Sequence, residues 1–267
     1  MKILVGGDSF ADPNFKSLFV EGEERRPRPV WGDIVAKNLG SSIDYSAESG
    51  KSNEWIIHNC IRMIHKYKYS VVIVALTNWE RCVDMWGHNI NPRLLQLCKN
   101  SIYEWEAIAH PSGWKEPTML YYNDFGRVSY NVVVNKNLTW ILNLIMTCVY
   151  TNTKLAAFQM LEPMLTLNSD VKLLNLKKNA LFDSKNIDLL VRIEELLIKY
   201  SDLLHLDEWP FVEMIGGMYA IETLGLNKSE LDNTLIVGNG DSHPNKKGHE
   251  VIANYVLNEV LPKVYKK

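Results

Sequence analysis

The sequence predicts a three-layer α/β/α fold around a mostly parallel central sheet, and three observations carry the prediction. Ser70 to Leu76 (SVVIVAL) is an apolar, β-branched run, the pattern of a parallel strand covered on both faces. Ile3-Leu4-Val5 is a short apolar run, and Lys154 to Met160 (KLAAFQM) reads as another core strand, at distant points of the chain. Segments with apolar residues at helical spacing lie between these runs, so strand and helix alternate.

Taken in order, Ile3-Leu4-Val5 runs into Gly6-Gly7 and reads as a buried first strand with a sharp exit. Residues 20–30 (VEGEERRPRPV) are charged and carry prolines, so a loop is expected. Trp31 to Leu39 has Ile34, Val35 and Leu39 on helical spacing, with Gly40 as a stop. Ser42 to Tyr45 is a short second strand. Ser52 or Asn53 caps a helix running to about Lys66, with Trp55, Ile56, Cys60, Ile64 and Tyr67 on one face. Residues 77–134, rich in Trp, Tyr, Asn and Pro, show little periodicity. Asn135 to Tyr150 reads as a helix. So does Ile187 to Tyr200, with Ile187, Leu190, Val191, Leu196 and Leu197 apolar. A helix interrupted by Gly216-Gly217 is expected over Phe211 to Leu224, and a last one over Lys246 to Val260.

The chain has 267 residues, 46% apolar and 22% charged, enough to bury a sizeable core. Lys and Arg number 29 against 31 Asp and Glu, a net charge of -2. A generally basic coat is thereby excluded, and no nucleic-acid partner is expected. Cys60, Cys82, Cys98 and Cys148 form no Cys-x-x-Cys pair and have no close zinc spacing, so they read as free thiols. No run approaches 18 apolar residues, so no membrane span is expected. Only Ile3-Leu4-Val5 stands between Met1-Lys2 and Gly6, too little for an export signal. A cytoplasmic or virion-associated protein is the expectation.

In a parallel sheet clad on both faces, reactive groups gather at the carboxyl ends of the strands. Gly7-Asp8-Ser9-Phe10 follows the first strand. There a serine can project its hydroxyl at the rim while its N–H faces a developing oxyanion. After the second strand comes Glu48-Ser49-Gly50-Lys51-Ser52, where Gly50 offers an unobstructed N–H at a helix start. After the third comes Thr77-Asn78-Trp79-Glu80-Arg81, where the Asn78 amide can aim into a rim cleft. Near the end stands Asp241-Ser242-His243-Pro244-Asn245, a histidine before a proline, in a loop ahead of a helix. A histidine with a carboxylate partner is the arrangement of a general base. Asp241, His243 and His249 have no further cluster to complete a metal shell, so no metal is expected. Gly6-Gly7-Asp8 lacks the Gly-x-Gly-x-x-Gly spacing, and no complete phosphate-loop motif is present, so no cofactor is expected.

Together and in order, these four blocks resemble the SGNH (GDSL-like) hydrolase family, whose name lists a Ser, a Gly, an Asn and a His. Ser9, Gly50, Asn78 and His243 match those positions, and Trp31 in its Trp-x-x-x-Val-Ala setting resembles the family's first helix. The resemblance implies an SGNH/flavodoxin-like fold and a serine esterase. In it Ser9 is the nucleophile, His243 its base and Asp241 the orienting acid. The N–H groups of Ser9 and Gly50 and the Asn78 side chain form the oxyanion hole. Asp8, Trp79 and Arg81 are the candidate substrate contacts.

The chain departs from the pattern in two places. The family's acid stands three residues before its histidine, where Gly240 is found; Asp241 is two before. The usual Gly-x-Asn-Asp block reads Leu76-Thr77-Asn78-Trp79. These mark a divergent branch, and an Asn-, Lys- and Tyr-rich composition suits a phage or AT-rich bacterial genome.

The implied substrate is an acetyl or short acyl ester of a carbohydrate or small molecule. Trp79, Trp86, Trp105, Trp114, Tyr121 and Tyr122 offer stacking faces for a sugar. The rival expectation is an inactive SGNH-like module in a virion or other assembly. One domain spanning 1–267 is expected, because Ser9 and His243 must meet, with insertions at about 79–134 and 161–234. The sequence leaves the oligomeric state open.

Overall fold

A computed structural model describes residues 1–17, 22, 27–77, 82–83, 89–90, 130–160, 165–167, 174–176, 184–207, 235–238 and 241–265. Five strands build one sheet: β1 (Lys2–Gly7), β2 (Ser42–Ala47), β3 (Val71–Leu76), β4 (Lys154–Gln159) and β5 (Leu204–Asp207). Their order is β2-β1-β3-β4-β5, and every pairing is parallel. This is the doubly wound order with a switch point between β1 and β3, where the crevice outside the strand ends takes ligands.

The helices are α1 (Trp31–Asn38), α2 (Asn53–Lys66), α3 (Tyr130–Thr151), α4 (Ser184–Lys199) and α5 (Lys246–Tyr255). Alternate side chains of each strand feed two cores, as a pleated sheet with helices on both faces requires. Leu4, Val72, Val74, Leu76, Leu155 and Leu206 pack against α2, α3 and α4. Ile3, Val5, Val71, Ile73, Ala75 and Phe158 pack against α1, α5 and the C-terminal turns. All six residues of β3 are buried, as the apolar run predicts for a central strand. The three layers and the parallel sheet agree with the sequence expectation.

α2 begins and ends as the sequence indicates. Ser52 is its cap, accepting from the Trp55 N–H at 3.3 Å. Tyr67, expected on its buried face, is exposed. α3 starts five residues before its expected beginning. Three consecutive valines at 132–134 are weak in helix propensity, which hides the helix start from periodicity. Of the apolar residues on α4, Leu190 and Ile193 are buried, while Ile187 and Val191 are exposed.

Strand β5 was not expected: its four residues, Leu-His-Leu-Asp, alternate buried and half-buried at the sheet edge. His243 was expected in a loop, but it stands in a strand pair, β6 (Ile236–Gly238) with β7 (Asp241–Pro244). The last helix gives way to a π turn at Val256–Val260 and then a short α turn, Leu261–Val264. Pro262 has no N–H to donate to the Asn258 carbonyl, and the ladder widens just before it. Short antiparallel pairs join Cys82–Val83 to Asn89–Ile90 and Leu165–Leu167 to Leu174–Leu176. The helix expected over 211–224 lies outside the described residues, as does most of both insertions.

Candidate active site

The turn leaving β1 is built by its own residues. The chain folds back so tightly that a Cβ on Gly7 would lie 2.5 Å from the Ala11 Cβ, so only glycine fits. Asp8, fully buried, accepts from the Phe10 N–H at 3.1 Å through Oδ1 and from the Thr77 hydroxyl at 2.7 Å through Oδ2. Its carbonyl accepts from the Ala11 N–H at 3.0 Å. These bonds occupy the amides of Phe10 and Ala11 and fix Ser9 between them at the carboxyl end of β1. Trp31, buried to 0% exposure, braces the far side by donating Nε1–H to the Phe10 carbonyl at 3.1 Å.

His243 reaches Ser9 from the other end of the chain. Asn245 sets its position by three bonds. Its N–H donates to the Leu235 carbonyl at 3.0 Å, and its Nδ2 donates to the Ile236 carbonyl at 2.9 Å. Its Oδ1 caps α5 by accepting from the Gly248 N–H at 2.9 Å. His243 Nε2 then lies 2.7 Å from Ser9 Oγ, across 234 positions of sequence. The imidazole stacks on Phe15 at 4.0 Å between ring centres and tilts against Phe10 at 4.8 Å. Ser9 is only 7% exposed and His243 is half-buried.

His249 lies buried in α5, just after this segment. Its Nδ1 accepts from the Trp31 N–H at 3.3 Å. Burial, reinforced by the nearby His243, lowers its pKa to about 3 and keeps it neutral. With Nδ1 so engaged, His249 is a structural acceptor rather than a metal ligand. Among the described residues no group of three or more His, Cys, Asp or Glu is placed to hold a metal.

Two neighbouring loops are tied to this turn. Asp12 Oδ2 accepts from both the N–H and the hydroxyl of Ser49, each at 3.1 Å, and its Oδ1 accepts from the Asn14 N–H at 2.7 Å. The Glu48 N–H donates to the Gly7 carbonyl at 3.3 Å. Gly50 follows at φ +76°, a left-handed conformation that favours glycine. At the end of β3, Asn53 Oδ1 accepts from the Thr77 N–H at 2.7 Å and Nδ2 donates to the Thr77 carbonyl at 3.0 Å. The same Nδ2 donates to Asn137 Oδ1 at 3.1 Å, joining α2 to α3.

Of the sequence-derived candidates, Ser9 and His243 are brought together. Gly50 stands in the loop clamped to the Ser9 turn. Asp241 opens β7 opposite Gly238. Asp8, expected to touch substrate, instead has both carboxyl oxygens engaged inside the protein. It braces the turn. Asn78, Trp79 and Arg81 lie outside the described residues, as do Trp86, Trp105, Trp114, Tyr121 and Tyr122. Cys60 and Cys148 are buried free thiols, and burial pushes the Cys60 thiol up to about 12 and raises that of Cys148. Sequence reading missed Asp12, Phe15, Asn53 and Thr77. Asp12-Pro13-Asn14 carries a turn signal that points to a side-chain acceptor; the other three have no local signature.

No family model matches the sequence, and no curated protein matches it. Among solved structures the chain is similar to the psychrotrophic esterase EstA from Pseudoalteromonas sp. That likeness has 13% identity, covers 100% of this chain and 99% of the other, and has a TM-score of 0.45. It is similar to a lipase/acylhydrolase from Enterococcus faecalis, at 11% identity over 97% of this chain and 94% of the other, TM-score 0.42. It is also similar to a member of the lipolytic protein G-D-S-L family from Veillonella parvula, at 14% identity over 97% of each chain, TM-score 0.39.

Proposed function

We propose that this chain is a serine esterase of the SGNH type that hydrolyses an ester through an acyl-enzyme on Ser9. The observation that carries the reading is the 2.7 Å contact between Ser9 Oγ and His243 Nε2 at the carboxyl end of β1. His243 takes the Ser9 proton as Oγ attacks the ester carbonyl. It then gives that proton to the departing alcohol. Water, deprotonated by the same imidazole, releases the acid and restores Ser9. Asp241 orients His243 and stabilises the imidazolium. The N–H groups of Ser9 and Gly50, with the Asn78 side chain, hold the oxyanion, each donor contributing roughly 3 kcal/mol to barrier lowering. No cofactor enters the cycle.

The substrate carries an acetyl or short acyl group on a carbohydrate or small molecule. Ser9, covered to 7% exposure beside a histidine flanked by Phe10 and Phe15, suits a small acyl group. Ser9 and His243 come from opposite ends of the sequence, which supports one domain over 1–267. Hydrolysis of p-nitrophenyl acetate tests the proposal. Wild type is expected to turn over and Ser9→Ala to fall to the background rate; equal rates in the two proteins would remove the esterase reading.

A further inference from the structure

A cleft of about 440 Å3 opens beside the reactive pair, lined by Pro13, Asn14, Phe15, Lys16 and Arg28. Phe15 belongs to both places, because its ring stacks on His243 and also walls the cleft. Anything held there is one aromatic ring away from the imidazole. Lys16 and Arg28 are exposed, and among the described residues neither forms an ion pair with a carboxylate. Arg28 is also aimed: its Nη2 donates to Asn14 Oδ1 at 3.3 Å, and Asn14 is set in turn by its N–H bond to Asp12. The chain carries a net charge of -2, so two cations at one small cleft are a local feature rather than part of a basic coat.

We infer that this cleft binds an oxyanion group, carboxylate or phosphate, carried by the ester whose acyl bond is cut at Ser9. This rests on the esterase reading and narrows its substrate class to anionic esters. A planar guanidinium offers paired donors to such a group, and a lysine ammonium adds a point charge. The volume suits one small substituent. Both cations are exposed, so the selectivity is modest and salt-sensitive.

Three aryl acetates test the inference: 4-acetoxybenzoate, 4-acetoxyphenyl phosphate and the neutral methyl 4-acetoxybenzoate. The readout is the ratio of kcat/KM for each anionic ester to that for the neutral one. Comparison with a Lys16→Met/Arg28→Met double variant removes intrinsic differences in reactivity. The ratio for at least one anion is expected to fall about fivefold or more in the double variant. It is also expected to fall in wild type as salt is raised, and to survive in Lys16→Arg. The two anionic arms separate a carboxylate site from a phosphate site. Ratios equal in wild type and double variant, with neutral ester still hydrolysed, overturn the inference and leave the esterase reading intact. Failure to cut any of the three removes the esterase reading. The cleft is then judged by calorimetric titration of terephthalate and inorganic phosphate, where equal binding by wild type and double variant overturns it.

Discussion

The Thr77 hydroxyl donates to Asp8 Oδ2 at 2.7 Å, joining the ends of two adjacent strands directly beneath Ser9. Thr77→Val keeps the shape and removes the donor. The loss is expected to cost about 1 kcal/mol, because a buried carboxyl oxygen loses one hydrogen-bond donor. A lowered urea midpoint with unchanged m-value reads the effect. The rate of the proposed ester hydrolysis should fall with it, since Ser9 is the next residue after Asp8. An unmoved midpoint would show that the contact contributes nothing.

Phe15 holds the His243 ring by a 4.0 Å stack without forming part of the acid–base pair. Phe15→Ala frees the imidazole to leave its line with Ser9 Oγ. Small misplacements of catalytic groups are costly, so kcat/KM should fall about tenfold or more. Thermal stability should change little, because Phe15 is half-buried and outside both cores. Unchanged ester hydrolysis would mean the ring does not position the histidine.

Asp12 is the clamp between the Ser9 turn and the loop of Gly50. Asp12→Ala strips the acceptor from the Ser49 N–H, the Ser49 hydroxyl and the Asn14 N–H together. Stability is expected to fall by about 1–2 kcal/mol and the hydrolytic rate to drop. Asp12→Asn, which keeps one acceptor oxygen, should recover part of both. Equal behaviour of the two variants would argue that the clamp has no positional role.

His249 gives the fold a pH dependence of definite sign. Its folded pKa, lowered to about 3 by burial and then by His243, lies below the ordinary value of 6.5. Between those values the unfolded chain binds the extra proton. The stabilisation is therefore complete above pH 6.5 and is lost as pH falls toward 3. Going from pH 7 to pH 5 should cost about 2 kcal/mol of unfolding free energy. His249→Asn leaves an oxygen to accept the Trp31 N–H and has nothing to titrate. Urea midpoints at the two pH values should differ less in this variant than in wild type; an equal drop in both would assign the dependence elsewhere.

The parallel sheet was legible because β3 is a continuous apolar run and β4 has an apolar centre, Leu155 to Phe158, as a strand covered on both faces requires. Strand β5 was not legible, because an edge strand of four residues with the polar His205 and Asp207 half-buried on one side looks like a turn. The start of α3 was hidden because tertiary packing, with Val134 and Leu138 buried against α2, overrides the poor propensity of a valine run. At the site, Ser9 and His243 were readable from short motifs. Their supports were not: Asn53 to Thr77 and Asp12 to Ser49 are bonds between residues 24 and 37 positions apart, and periodicity carries no trace of them.

In the proposed mechanism Ser9 is the nucleophile and His243 its base. Treatment with a fluorophosphonate, followed by intact-mass and peptide analysis, tests it most directly. A single adduct on Ser9 is expected in the folded wild type. The adduct should be absent in Ser9→Ala, and labelling should slow by about a thousandfold in His243→Ala. A folded protein that stays unlabelled, or one labelled equally well without Ser9, would contradict it.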